Sequence, residues 1–242
     1  MRRFYCPSCN ITQSQATIID ASQVHHIKDV LRIKAGAKIA LFDDEQKEYS
    51  GLVKQVSQQK IIIAIERQEQ AKSDEKTICL AVALPKRAKF DFIVEKLCEL
   101  GVDTIAPLIS RHTVVRPAKD KQEKMFIRWQ KISLGASQQA KRRTLARILP
   151  IGDFEAGLSL IKDFDLALIA CLNVRAIPLK EALRDFSAQS IIVFIGPEGD
   201  FACREVELAL KSGCIPVSLG ALTLKVDTAC LFVLSILRYA LS

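Results

Sequence analysis

Phosphate-cradling motifs are missing from this chain of 242 residues. It contains neither GxxxxGK[ST] nor GxGxxG, which disfavours ATP and NAD as ligands. Metal-ligand pairs are scarce. The only CxxC is Cys6-Pro7-Ser8-Cys9, no HxxxH accompanies it, and His25 and His26 are adjacent while His112 is distant. Structural zinc needs a second ligand pair, so no metal is expected. No thioredoxin-like βαβ pattern surrounds the CxxC, which argues against a redox role. Aromatic residues make up only 6% of the chain, too few for stacking on many bases. The apolar run Leu231–Leu237 is too short to span a bilayer. Met1–Pro7 has no apolar signal core. A cytoplasmic protein with no membrane partner is therefore expected. The 8 cysteines are scattered and read as small apolar core residues or idle thiols in a reducing compartment. There is no internal repeat and no low-complexity segment.

What is present is apolar and basic. Hydrophobic residues are 49% of the chain, enough for a large core and against disorder. The length suits one large or two small domains. Lys and Arg number 35 against 27 Asp and Glu, a net charge of +8. Such an excess favours a polyanion, nucleic acid before an acidic membrane surface. Charge alone leaves a basic enzyme without such a partner equally open.

The pattern changes along the chain. Short β-type runs at Thr17–Ile19, Lys38–Phe42, Tyr49–Val56 and Lys60–Ile65 alternate with polar turns, with one helix near Ser22–Leu31. Closely spaced short strands predict a small β-barrel over residues 1–70. Gln68–Lys76 reads as a polar linker. Over 71–242 strands and helices alternate. Strands are expected at Ile78–Leu84, Val102–Leu108, Phe164–Leu172, Ile191–Ile195 and Pro216–Leu219. Helices are expected at Phe90–Leu100, from Lys119 towards Arg143, and at Asp227–Ala240. This predicts an α/β domain whose mainly parallel sheet is covered on both faces.

Three loops follow strands in the second half: Cys171-Leu172-Asn173, the turn Gly196-Pro197-Glu198-Gly199, and Leu219–Lys225. If their strands are neighbours, the loops converge on one crevice. Their content is mostly backbone, glycine and leucine, which suits an adenine and ribose held by main-chain groups between apolar side chains. A neutral-to-cationic nucleoside ligand fits better than a phosphate.

The GPEG turn after an apolar strand, followed by Leu219-Gly220-Ala221-Leu222-Thr223-Leu224-Lys225-Val226-Asp227-Thr228-Ala229, resembles the SPOUT methyltransferase superfamily. Within it the chain is similar to the family that methylates N3 of uridine 1498 in 16S ribosomal RNA. Support comes from Arg2-Arg3-Phe4-Tyr5, from His25-His26 through Val30-Leu31-Arg32, and from Gly36 with Leu41-Phe42-Asp43. Lys86, Glu95–Val102, Ile105-Ala106-Pro107 and Trp129–Ile132 add to it. The resemblance implies a PUA-like N-terminal barrel, a C-terminal deep trefoil knot, a homodimer, and S-adenosyl-L-methionine as methyl donor. It implies the small ribosomal subunit or its RNA, not DNA, as partner. The implied cofactor wall is Leu172, Ile195, Gly196, Pro197, Glu198, Gly199, Leu219, Gly220, Leu222, Leu224, Asp227 and Thr228.

For methyl transfer to a uridine N3 that holds its proton at neutral pH, the enzyme must remove the proton or stabilise the developing anion. Lys225 and Arg142 are the catalytic candidates, with solvated charge or a phosphate contact as the plainer role for each. Asp227 and Glu198 are expected to order their loops through backbone hydrogen bonds, with an N-cap of the last helix as an equal reading for Asp227. Arg2, Arg3, Lys28 and Arg32, with Lys141 and Arg143, are candidates for RNA contacts. The chain departs from the family pattern at Asp200 and Ala202 (GPEGG[FL]S), at Gln138 (E-Q-x-x-R) and at Arg111-His112 (Ser-Glu-Arg). These departures keep open an RNA-binding protein with weak or lost catalysis, or an enzyme of the superfamily acting on another RNA.

Overall fold

A computed structural model of the chain describes residues 1–45, 47–70, 76–86, 89–172, 175–184 and 189–241. The described chain forms two compact units. One is Met1–Ser73 with Ser137–Leu145; the other is Asp74–Ala136 with Ala146–Ser242.

The first unit contains β1 (Arg2–Tyr5), β2 (Gln15–Ile18), α1 (Ala21–His25), β3 (Lys38–Phe42), β4 (Lys47–Val56) and β5 (Ile61–Gln70). They build a curled, mixed five-stranded sheet in the order β1-β3-β4-β5-β2, a half-barrel with β1 and β2 at its ends. Only β1 and β3 pair in parallel. The helix expected near Ser22–Leu31 is α for five residues and then a π-turn over His26–Val30. The N-cap is Asp20, whose carboxylate accepts the Gln23 N–H at 2.8 Å. The polar stretch expected to start a linker at Gln68 instead extends β5, with Gln68, Glu69 and Gln70 opposite Tyr49, Glu48 and Lys47. Backbone pairing with the long β4 outweighs side-chain polarity there. Residues 71–75 of that stretch lie outside the described residues. Alternate strand residues such as Ile39, Leu41, Ile61 and Ile63 bury together with Val24 and Ile27.

The second unit contains β6 (Thr77–Ala83), α2 (Phe90–Glu99), β7 (Thr104–Ile109), α3 (Lys119–Gln139), β8 (Arg147–Ile148), β9 (Gly152–Asp153), α4 (Phe154–Leu158), β10 (Leu166–Ala170), β11 (Ile177–Pro178), α5 (Leu179–Ala182), β12 (Ser190–Ile195), α6 (Cys203–Lys211), β13 (Ile215–Ser218) and α7 (Val226–Leu241). The last three residues of α3 pass into the first unit. The sheet runs β11-β13-β10-β12-β6-β7-β8, with β9 also on β7, and every pair is parallel.

Its strands are apolar throughout because both faces are covered. On β6, Ile78, Leu80 and Val82 join Phe90, Trp129, Val233 and Leu237 on one face. Cys79 and Ala81 point the other way, towards Phe154 and Val206. This is the alternation that a period of two imposes. Burial pushes the Cys6, Cys79 and Cys214 thiols up to about 12, so these cysteines are inert core residues.

The last helix is tied to the sheet by charge. Arg238 donates to the Gly101 carbonyl and to Asp103 Oδ2 at 3.0 Å, while the same carboxylate oxygen accepts the Ile78 N–H at 2.8 Å. Arg238→Ala should lower stability by about 1–3 kcal/mol, the range for hydrogen bonds to charged groups, read as a lower urea midpoint with an unchanged slope. A midpoint within error of wild type would contradict the anchoring role.

Candidate functional site

Parallel pairing places the ends of three strands side by side. Ala170 at the end of β10 is opposite Ile195 of β12 on one side and Val217 of β13 on the other. The loops that follow must therefore leave the same sheet edge together, as the convergence argument requires. They line an open pocket at that edge.

Leu172, Ile195, Gly196, Pro197, Glu198, Leu219, Gly220, Leu222 and Leu224 line this pocket, joined by Ala170, Cys171, Asp200, Thr223, Val226 and Ala229. Gly199, Asp227 and Thr228 are not among its lining residues. Asn173, expected in the first loop, lies outside the described residues. Leu172 and Leu222 are largely exposed at 71% and 79%, so the mouth carries apolar surface.

Carboxylates hold the second loop through backbone N–H groups. Glu198 Oε1 accepts the Lys86 N–H at 3.0 Å, the loop-ordering role expected of it. Asp200 has φ +57°, a left-handed conformation that Asp tolerates better than most residues. Its Oδ1 accepts the Phe201 N–H at 2.8 Å and its Oδ2 the Leu172 N–H at 2.9 Å, joining the second loop to the first. His112 Nδ1 lies 3.0 Å from both the Gly199 and the Asp200 carbonyl oxygens. No sequence motif singled out Glu205. It is buried, with Oε1 accepting the Arg111 N–H at 2.7 Å and Oε2 the Ala202 N–H at 2.9 Å. Glu three residues after a cap position is the signal that could have found it. Gly196 packs closely, since a Cβ there would stand 3.2 Å from the Phe201 ring and 3.3 Å from Asp200 Oδ1, tight enough that these side chains would have to shift by a few tenths of an ångström.

The third loop runs into α7. Lys225 is exposed, and its carbonyl accepts the Ala229 N–H at 2.8 Å. Asp227 is not the N-cap: α7 begins at Val226, so Asp227 lies in the first turn. A carboxylate there still complements the helix dipole, and it pairs with Lys89 Nζ at 3.4 Å. Its Oδ1 is buried and has no hydrogen-bond partner among the described residues.

The basic candidates Arg2, Arg3, Lys28, Arg32, Lys141, Arg142 and Arg143 all belong to the first unit. Arg3 reaches the Lys141 and Arg142 carbonyls at 3.1 and 3.3 Å and Glu48 Oε2 at 3.4 Å. Arg143 Nε is 3.6 Å from Glu48 Oε1. Arg3 thus seats the segment after α3, where Lys141 turns the chain at φ +56°. Gln138 Nε2 donates to Gln23 Oε1 at 3.0 Å. Arg142 Nε donates to the Thr144 carbonyl at 3.2 Å. Arg2 donates to the Leu31 carbonyl at 3.2 Å, and Lys28 stands 3.7 Å from Asp29. Arg32 is exposed, with φ +50°.

A parallel α/β sheet with an apolar, glycine-walled pocket at its carboxyl edge defines a small-ligand-binding α/β protein, here joined to a half-barrel unit. Residues 72–238 match the family model described as RNA methyltransferase domain, and residues 19–66 that described as RNA methyltransferase PUA domain. The chain belongs to this RNA methyltransferase family. It is 30% identical over 237 residues to ribosomal RNA small subunit methyltransferase E of Mesomycoplasma hyopneumoniae, covering 97% of this chain and 98% of that protein. It is 27% identical to the Bacillus subtilis protein of the same name, covering 95% and 92%. Among solved structures, ribosomal RNA small subunit methyltransferase E from Neisseria gonorrhoeae, bound to S-adenosyl methionine, superposes with a TM-score of 0.82 at 27% identity. That match covers 99% of this chain and 97% of the other.

Two substitutions test the loop supports. Glu205→Gln replaces an acceptor with an NH₂ group facing a backbone N–H, and should cost about 1–3 kcal/mol, measured by thermal or urea unfolding. Ala202 has extended cap geometry, φ −65° and ψ 150°, but no side-chain acceptor. Ala202→Ser should add about 1 kcal/mol by capping α6; no gain would show the orphan N–H to be satisfied already.

Proposed function

We propose that the protein methylates N3 of one uridine, of the uridine 1498 type, in 16S ribosomal RNA of the small ribosomal subunit, with S-adenosylmethionine as donor. The pocket is the observation that carries this reading. Its wall combines leucines with glycine backbone, and its charged lining side chains, Glu198 and Asp200, are both acidic. That set fits a nucleoside bearing positive charge and would repel a polyphosphate. The relatives named as small-subunit ribosomal RNA methyltransferases, one of them solved with this cofactor, support the same reading over nearly the full chain.

In this reading Leu172, Ile195, Gly196, Pro197, Glu198, Gly199, Leu219, Gly220, Leu222, Leu224, Asp227 and Thr228 make the cofactor site. The cofactor supplies a methyl carbon activated by its sulfonium. Lys225 stands between pocket-lining Leu224 and Val226 and is exposed. Its ammonium would stabilise negative charge developing on the uracil as N3 gives up its proton. Arg142 is a second cation for the base or its phosphates. Arg2, Arg3, Lys28, Arg32, Lys141 and Arg143 would position the RNA by backbone contacts. The reading includes a trefoil knot, a cytoplasmic location and a homodimer. Exposed Phe92 on α2, Leu100 at its C-terminal end and Phe232 on α7 support the last. Among the described residues no helix is long and apolar enough to cross a membrane.

Purified protein, small ribosomal subunits and labelled cofactor should yield one N3-methyluridine, located by mass spectrometry. Lys225→Ala should lower kcat about 100-fold or more and leave cofactor Kd within about threefold. Equal losses in both would remove Lys225 from the chemistry. Tight cofactor binding with no transfer to any subunit RNA would favour the RNA-binding alternative.

A further inference from the structure

Asp200 lines the pocket at a backbone position that favours glycine over a side chain. A left-handed φ of +57° is a position that glycine adopts without strain. This chain instead puts a carboxylate into the pocket wall. Hydrogen bonds from Phe201 and Leu172 hold it between two loops, and Oδ1 lies 3.3 Å from where a Gly196 Cβ would stand. With Glu198 it makes the charged side chains lining the pocket negative among the described residues, inside a protein of net charge +8.

We propose that Asp200 is a specificity-determining residue that favours the positively charged methyl donor over the neutral thioether remaining after transfer. The inference rests on the methyl-donor reading above. S-adenosylmethionine carries a sulfonium, an ammonium and a carboxylate; loss of the methyl group removes the sulfonium charge and leaves a zwitterion. A carboxylate fixed in a partly desolvated wall attracts the first ligand more than the second. Hydrogen bonds to two backbone N–H groups keep it from swinging away. Asp200 is half-buried, so solvent screens the effect to about two- to fivefold in relative affinity. The consequence is a pocket that holds fresh cofactor and sheds spent cofactor.

Calorimetric titration of the full-length protein with S-adenosylmethionine and S-adenosylhomocysteine tests this. In Asp200→Asn and Asp200→Gly the preference for the sulfonium ligand should fall by about two- to fivefold, mainly through its own Kd. Glycine suits the backbone at this position, so Asp200→Gly keeps the test available if the amide variant folds poorly. In wild-type protein the preference should also narrow as salt rises, and Asp200→Gly should show little such narrowing. Equal weakening of both ligands would overturn the inference and leave Asp200 as a loop tie only, as would an unchanged ratio. Wild-type protein that binds neither ligand would overturn the methyl-donor reading and the inference with it. Binding of both with a ratio indifferent to Asp200 would overturn the inference alone.

Discussion

The parallel pairing of β10 with β12 on one side and β13 on the other is the constraint on which the pocket depends. These strands are distant in sequence but adjacent in the sheet, and each ends at the same edge. Their following loops therefore meet whatever their composition. The pairing is secured by burial. Leu168, Ile169, Val193, Phe194 and Val217 are fully covered on both faces, so a register slip would strip apolar surface as well as hydrogen bonds. Loop composition can then serve a ligand without also having to build the core.

The loops are held by one device used repeatedly, a carboxylate accepting backbone N–H groups from a distant segment. Glu198 takes Lys86, Asp200 takes Leu172, and Glu205 takes Arg111. Each bond joins a loop near the pocket to another part of the second unit. Charge-assisted bonds to backbone are stronger than neutral ones and need no matching side chain on the far segment. Two of these carboxylates, Glu198 and Asp200, also line the pocket, so the groups that order the loops give its wall negative charge.

Much of this was readable from residue order. Long apolar strands such as Ile191–Ile195 and the periodic helix at Phe90–Leu100 appear close to their expected places, because burial on both faces leaves an unmistakable apolar run. Several short elements were not readable, although β2 and β13 overlap their expected strands. β1, β8, β9 and β11 have four residues or fewer, and they exist because a neighbouring strand offers an edge, which no local pattern records. The extension of β5 through Gln68–Gln70 is the same effect in polar residues. In the site, GPEG and the leucine-rich loop were visible as motifs. Glu205 was not, since its importance lies in contacts with Arg111 across the fold. Asp227 as a helix cap failed by a small margin: α7 begins one residue before it, and a cap is a matter of backbone angle as much as residue type.

The charge of the chain divides along the same lines as its structure. The basic residues singled out for RNA belong to the first unit, where Arg3 and Arg143 are partly spent on Glu48 and on the chain turn after α3. The charges lining the pocket are acidic and belong to the second unit. A polyanionic RNA and a cationic nucleoside require opposite fields, and a single surface could not favour both. Separation lets a net charge of +8 attract RNA without filling the pocket with cations. Lys225 is the exception in sequence position: it stands between pocket-lining Leu224 and Val226, is exposed, and does not itself line the pocket.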